Sequence, residues 1–178
     1  MPSWSSRGLR GSLLEHLINI SNETYREEKL ALVQKVPTPI TPVKIDPESR
    51  HITLAYFEQQ STVDYIGAVQ GIPVCFDAKE CKATSFPLAN VHEHQIKFMR
   101  DMENQGGVAF MIIYFAEKEE YYYCPFKEIE KYWNRAKEGG RKSVKLSEFT
   151  EGWLIGNRPG IPVHYLEAIN NDLAKRDG

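Results

Sequence analysis

No run of about 18 apolar residues occurs anywhere in the 178-residue chain, so no segment has the makings of a membrane-spanning helix. The first twelve residues are polar and include Arg7 and Arg10, unlike the apolar core of a secretion signal. A soluble, cytoplasmic protein is the expectation. Cysteine is scarce and odd in number: Cys75, Cys81 and Cys124 show no paired C-x-x-C spacing. They read as reduced thiols, which excludes a disulfide or zinc scaffold. A basic excess is missing too, since 22 Lys and Arg stand against 24 Asp and Glu for a net charge of −2. That is unlike a surface built throughout for phosphate. Repeats and low-complexity segments are also absent. What is present is 42% hydrophobic residues, enough for one core and hence one domain spanning 1–178.

The near-zero net charge hides an asymmetry. Lys131, Arg135, Lys137, Arg141, Lys142 and Lys145 lie close together with Glu138 as the one acid among them. Acids gather instead at 15–28, 117–120 and 128–130. A basic surface on an acidic protein is one reading; an ordinary solvated helix and loop is the other.

Periodicity supplies the elements. Ser12-Leu-Leu-Glu15 has the form of a capping box, and Leu14, Leu17, Ile18, Ser21 and Tyr25 follow at helical spacing, predicting a helix to about 28. A short strand is expected at 31–36. Pro37, Pro39, Pro42 and Pro47 then break regular structure, so this segment must leave the core. Strands follow at 51–58, 62–69 and 74–80, the last two joined by a turn at Gly71-Ile-Pro73. Asn90, with Glu93 three residues on, is expected to cap a second helix to about 103, with Ile96, Met99 and Met102 inward. The apolar run 108–115 predicts a buried strand, paired as a hairpin with 120–124. Phe126, Ile129, Trp133 and Ala136 mark a third helix, and 162–175 a last one. The expected fold is α/β, a mixed sheet with helices packed on it.

Strand alternation places the chemistry. In Val74-Cys-Phe-Asp-Ala-Lys79, residues Cys75, Asp77 and Lys79 share one face. The preceding strand is expected to carry Thr62 and Asp64 on one face, opposite Val63 and Tyr65, and a tight turn makes the two strands neighbours. Asp64 then approaches Asp77. Two converging carboxylates repel unless a divalent cation lies between them, and hard oxygen ligands suit Mg²⁺. Such an ion activates water for phosphodiester cleavage, and Lys79 offsets charge growing on the phosphate or orients the attacking water. An acid and a lysine two apart also form ordinary surface ion pairs, so the triplet alone leaves both readings open. Laid over two strands, Asp64-(x12)-Asp77-x-Lys79 resembles the nuclease core motif PD-(D/E)-x-K. Cys75 on the same face reads as a packing thiol, Tyr121-Tyr-Tyr123 as packing, and His92 and His94 as polar groups near a helix start.

Several blocks in order narrow the resemblance. Ser61-Thr-Val-Asp-Tyr65, Phe76-Asp-Ala-Lys-Glu80, Thr84-Ser-Phe-Pro-Leu88 and His92-Glu-His-Gln95 resemble the RecU-type Holliday junction resolvases. Lys35-Val-Pro-Thr-Pro39, Ala55-Tyr-Phe57, Gly140-Arg-Lys-Ser143 and Arg7-Gly8 fit the same family. The resemblance implies a restriction-endonuclease-like fold in a homodimer that cuts symmetric strands of four-way DNA junctions in recombination and repair. It implies Mg²⁺ as cofactor, with Mn²⁺ as its substitute, and recombination proteins as further partners. Carried over by residue, it makes Thr62, Asp64, Asp77 and Gln95 the metal site and Lys79 the transition-state stabiliser. DNA contacts would fall to Arg135, Lys137, Arg141, Lys142 and Lys145, and to Tyr56 and Phe57 on a stalk at about 37–60.

Position 77 is Asp where the family usually has Glu, which shortens the ligand by one methylene. The stalk carries Asp46, Glu48 and Glu58 beside Lys44, Arg50 and His51, so it is only weakly basic. Two other functions stay in view, a nuclease of the same fold acting on other DNA and a non-catalytic DNA- or recombinase-binding protein. The presence of Asp64, Asp77, Lys79 and Gln95 together speaks for catalysis. For the dimer interface, the apolar stretch 108–115 or its neighbours is one candidate, and the sequence does not say which surface serves.

Overall fold

The computed structural model describes residues 10–57 and 62–176. In chain order these form α1 (Arg10–Glu27), β1 (Ala31–Lys35), β2 (Ile40–Ile45), β3 (Ile52–Phe57), β4 (Tyr65–Val69), β5 (Ile72–Cys81), β6 (Ser85–Pro87) and α2 (Glu93–Asn104). They continue through β7 (Val108–Phe115), β8 (Glu120–Pro125), α3 (Phe126–Lys137), β9 (Ser143–Lys145), β10 (Leu154–Ile155) and α4 (Tyr165–Arg176). The main sheet has the order β1-β4-β5-β7-β8-β10. Only β5 and β7 run parallel, with α2 in the crossover between them, and the other neighbours are antiparallel. This is the mixed α/β sheet flanked by helices that the element order predicts.

Alternation splits the core in two. Val74 and Phe76 of β5, with Val108, Phe110 and Ile112 of β7, face α1 and α4. Cys75 of β5 and Ala109, Met111 and Ile113 of β7 face α2 and α3. Because β7 is covered on both faces and flanked by strands on both edges, its near-continuous apolar run is what a central strand requires. Of the two candidates for a dimer interface, the strand and its neighbours, the strand offers little surface: residues Val108 to Ile113 are at most 2% exposed within a single chain.

A row of rings crosses the first face. Tyr65 stacks on Phe76 at 4.7 Å, Phe76 on Phe110 at 4.7 Å, and Phe110 meets Tyr123 at 4.5 Å. Each such pair adds about 0.5–1.5 kcal/mol beyond its area burial, and a slip of one residue would turn every ring to the opposite face. The row therefore pins Tyr65 opposite Phe76, which brings the next residues outward, Asp64 and Asp77, together.

The turn before β5 differs from expectation. Val69 pairs with Ile72, so the connection is the two residues Gln70 and Gly71, both at positive φ (50° and 87°). This is the backbone that a tight hairpin prefers. Pro73 lies inside β5, opposite Ala68 and exposed. It is tolerated because Ala68–Pro73 is not the pair that closes the turn, and on the other side β7 pairing starts only at Val74 with Val108.

Two helix starts also differ. α1 begins at Arg10, ahead of Ser12; the side chain of Ser12, like Arg7 and Gly8, lies outside the described residues. The cap of α2 is His92 rather than Asn90, which ends a 3₁₀ turn at Leu88–Asn90. The Pro-rich segment leaves the core as expected, yet it is ordered as a strand. β2 pairs with β3 in a separate two-stranded sheet, with Pro42 opposite Ala55 and register shifts on either side of Lys44. Both strands of this arm are edges, so Pro42 removes no bond that a central sheet would need. No described helix is long and apolar enough to cross a membrane.

Candidate active site

β4 ends its pairing with β5 at Tyr65 and Phe76, while β5 continues alongside β7 to Cys81 and Phe115. The sheet forks there, and beyond Asp77 the residues 78–80 are half-buried. Asp77 points to the α2 side, as alternation from Cys75 demands, and is fully buried. The chain entering β4 does not alternate. Val63 is buried in the α2 and α3 core while Tyr65 belongs to the opposite one, so the backbone twists at Asp64. The regular strand expected over 62–69 starts only at Tyr65. Thr62 is half-buried ahead of the twist and makes no hydrogen bond to either carboxylate.

The twist gives Asp64 two links to β5. Its backbone N–H donates to Asp77 Oδ1 at 3.2 Å, and its carboxylate accepts the Ala78 N–H at 3.0 Å. Its carbonyl accepts the Val36 N–H at 2.7 Å, tying it to the end of β1. Burial first, and then the neighbouring charge of Asp77, push the Asp64 carboxyl up to about 6. The hydrogen bond from Ala78 and the charge of Lys79 pull the other way. A carboxyl so placed is strained when ionised and gains from any cation brought between the two acids.

Lys79 Nζ lies 2.6 Å from Asp77 Oδ2 and is itself only 20% exposed. Among the described residues no hydrogen bond reaches that buried oxygen, and the Lys79 ion pair offsets its charge. Gln95 completes the cluster from α2. Its Nε2 donates to Asp77 Oδ1 at 3.0 Å, and its Oε1 accepts the His92 N–H at 3.0 Å. A backbone N–H needs an acceptor and a carboxylate needs a donor, so both contacts fix the same orientation of the amide. Gln95, which the resemblance implies as a metal-site residue, lies beside Asp77 as a donor that holds it, with its oxygen turned away from the carboxylates.

Among the described residues, no three of His, Cys, Asp and Glu converge as a metal cage would require. The donor set is the oxygen pair of Asp64 and Asp77. Two carboxylates with the remaining positions left to water and phosphate is how Mg²⁺ is commonly held, so the residues present fit the ion. Cys75 is buried and its thiol is pushed up to about 12, mainly by burial. That suits packing and removes it as a nucleophile. His92 and His94 stack with centroids 5.6 Å apart at the α2 start, and burial, His92 and Lys79 lower His94. Tyr123 is core, donating to Asp172 at 2.7 Å, and Tyr121 stacks on Tyr114.

The basic residues are more committed than their spacing suggests. Arg135 donates to Glu148 at 3.0 Å and to the Ser143 carbonyl at 2.8 Å. Arg141 also pairs with Glu148, and Lys137 pairs with Glu93 at 2.7 Å. Lys142 and Lys145 are exposed. These pairings follow from folding Glu148 and Glu93 against the basic loop, contacts that no linear spacing reveals. Tyr56 and Phe57 are 58% and 73% exposed on β3, outside the core.

A mixed sheet whose fork brings the buried Asp77 and the half-buried Asp64 together beside a lysine defines a class, the α/β proteins with an acid pair at a sheet fork. A family profile for Recombination protein U matches residues 9–171, and this chain belongs to the RecU family. The Holliday junction resolvase RecU of Pediococcus pentosaceus is 41% identical over 168 residues, covering 92% of this chain and 84% of its own length. That of Leuconostoc mesenteroides is 42% identical over 171 residues, covering 93% and 83%, and that of Limosilactobacillus reuteri 39% over 180, covering 98% and 88%. Among solved structures, Archaeoglobus fulgidus Hjc, a Holliday junction resolvase, gives a TM-score of 0.43 at 9% identity over 74% of this chain and 89% of its own. So distant a likeness carries no weight.

Proposed function

We propose that this protein is a divalent-metal-dependent endonuclease of restriction-endonuclease-like fold that resolves four-way DNA junctions by symmetric strand cleavage. The observation that supports it most is the acid pair itself. In a member of the RecU family, Asp64 and Asp77 are held together at the sheet fork at a cost that a protein serving only to bind would have no reason to keep.

Asp64 and Asp77 would hold the ion, Mg²⁺ or Mn²⁺ in its place, and when bound it supplies an activated water and charge stabilisation at the phosphate. Gln95 keeps Asp77 oriented through Oδ1. The backbone N–H of Ala78 fixes Asp64, so neither carboxylate must reorganise on loading. Lys79, beside Asp77 Oδ2, would meet the negative charge growing on the phosphate.

The arm of β2 and β3 is rooted at the same place. The chain leaves for it just after Val36, which is bonded to Asp64, and returns from it just before Asp64. Ile40, Val43, Ile45, Ile52, Leu54 and Phe57 are all exposed on it, so apolar surface that a dimer or the open centre of a junction would cover is on the arm. Two cuts on opposed strands need two sites related by a two-fold axis, hence a homodimer. The decisive experiment incubates the protein with labelled four-way junction and with linear duplex, in Mg²⁺ and in chelator. Paired cuts near the branch point, confined to junction and Mg²⁺, are expected; cleavage of both DNAs alike, or of neither, would refute the proposal.

A further inference from the structure

On the face covered by α2 and α3 lies a hollow of about 420 Å³ that the proposed reaction does not use. Leu88 and Val91 form its buried floor, the indole of Trp133 and the methyl of Ala136 its α3 wall, and Lys142 stands at its rim. His92 lines it too. Three residues along from His92, Gln95 holds Asp77, so the hollow and the acid pair flank the same first turn of α2. Lys137, itself exposed, lies over the Trp133 ring at 5.4 Å and is paired with the exposed Glu93, both of which line the hollow as well, so Lys142 is the cation of the lining that no carboxylate of the described residues holds.

An apolar hollow with an aromatic wall and a cation at its opening is complementary to a planar ring that carries an anion. Nucleic-acid bases stack on such side chains without regard to sequence, while lysines meet the backbone phosphate. Lys142 favours this occupant over an uncharged chain or side chain, neither of which would use the cation. Unstacking is least costly where a base has already lost a neighbour, as at a branch point.

We propose that this hollow receives one unstacked base of the strand being cut, next to the phosphate at the acid pair, with Trp133 stacking on the base and Lys142 meeting its phosphate. The proposal rests on the endonuclease reading and deepens it, making Trp133 a residue that sets the position of the cut.

The test couples the pocket to single bases of the DNA. Trp133→Ala removes the stacking wall, and Ala136→Leu fills the slot from a helical position without removing any packing. Junctions lacking one base at successive positions around the cut are assayed for cleavage in Mg²⁺ and for binding in chelator. At one position the parent should lose on the order of tenfold, the scale of one base–aromatic stack. Both variants should show the same loss on intact junction and no further loss when that base is missing. Additive losses at every position, or variants indistinguishable from the parent on intact DNA, would overturn the pocket. Binding distinguishes the two readings: coupling in binding from a parent that never cleaves refutes the nuclease and supports the pocket. Cleavage without coupling does the reverse.

Discussion

The acid pair should make the metal-free protein less stable than it need be, and Asp64→Asn measures by how much. The folded Asp64 carboxyl stands at about 6 against an ordinary value of 3.8, so between those two values the folded chain binds a proton that the unfolded chain has released. Stability is therefore lost as pH rises through that window, and the full penalty, about 3 kcal/mol at most, applies above pH 6. The amide abolishes the charge and keeps an acceptor for the Ala78 N–H. With part of the penalty recovered, a gain of about 1–3 kcal/mol is expected at pH 8 in chelator. At roughly 2–4 °C per kcal/mol for a domain of this size, Tm should rise by several degrees. Scanning calorimetry at pH 8 and pH 5 provides the check, since at pH 5 the parent is mostly protonated and the gap should shrink. Excess Mg²⁺ should stabilise the parent by about 2.7 kcal/mol when present at a hundred times its Kd, and the variant less. A variant no more stable than the parent in chelator at pH 8, or an advantage independent of pH, would show that Lys79 already neutralises the pair and refute the reasoning.

Other outcomes follow from the same geometry. Asp77→Ala should abolish cleavage while junction binding measured by gel shift persists, because the phosphate contacts lie elsewhere; cleavage at the parent rate would remove Asp77 from the site. Lys79→Ala should slow single-turnover cleavage by roughly a hundredfold, the scale of one transition-state electrostatic contact, and a change of only a few-fold would leave it a structural ion pair. Binding should weaken steeply with salt, and reversing the exposed Lys142 should flatten the slope more than reversing Arg141, which Glu148 already holds; equal slopes would place the DNA on another surface. Replacing 37–60 by a short Gly/Ser linker should leave a folded nuclease domain that no longer prefers junction to duplex in competition binding, and unchanged preference would relocate selection to the rest of the surface.

The two-residue period of β5 was enough to put Asp77, Lys79 and Cys75 on one face, and the unbroken apolar run of β7 was enough to make it central. Both are local properties, decided by the pleat and by burial on two sides. The prolines of 37–47 likewise declared that their segment leaves the main sheet, because a missing N–H is a property of the residue itself. Other features depended on partners distant in sequence. The twist at Asp64 arises where its N–H and carboxylate find Asp77 and Ala78 across the fork, and Gln95 became a donor because Asp77, eighteen residues away, meets its Nε2. Glu148 pairs with both Arg135 and Arg141 at the surface, and the hollow beside Trp133 exists because α2 and α3 pack side by side on the sheet. Periodicity reports which face a side chain takes; only the packed chain decides which groups meet there, since hydrogen bonds and ion pairs are satisfied by proximity in space.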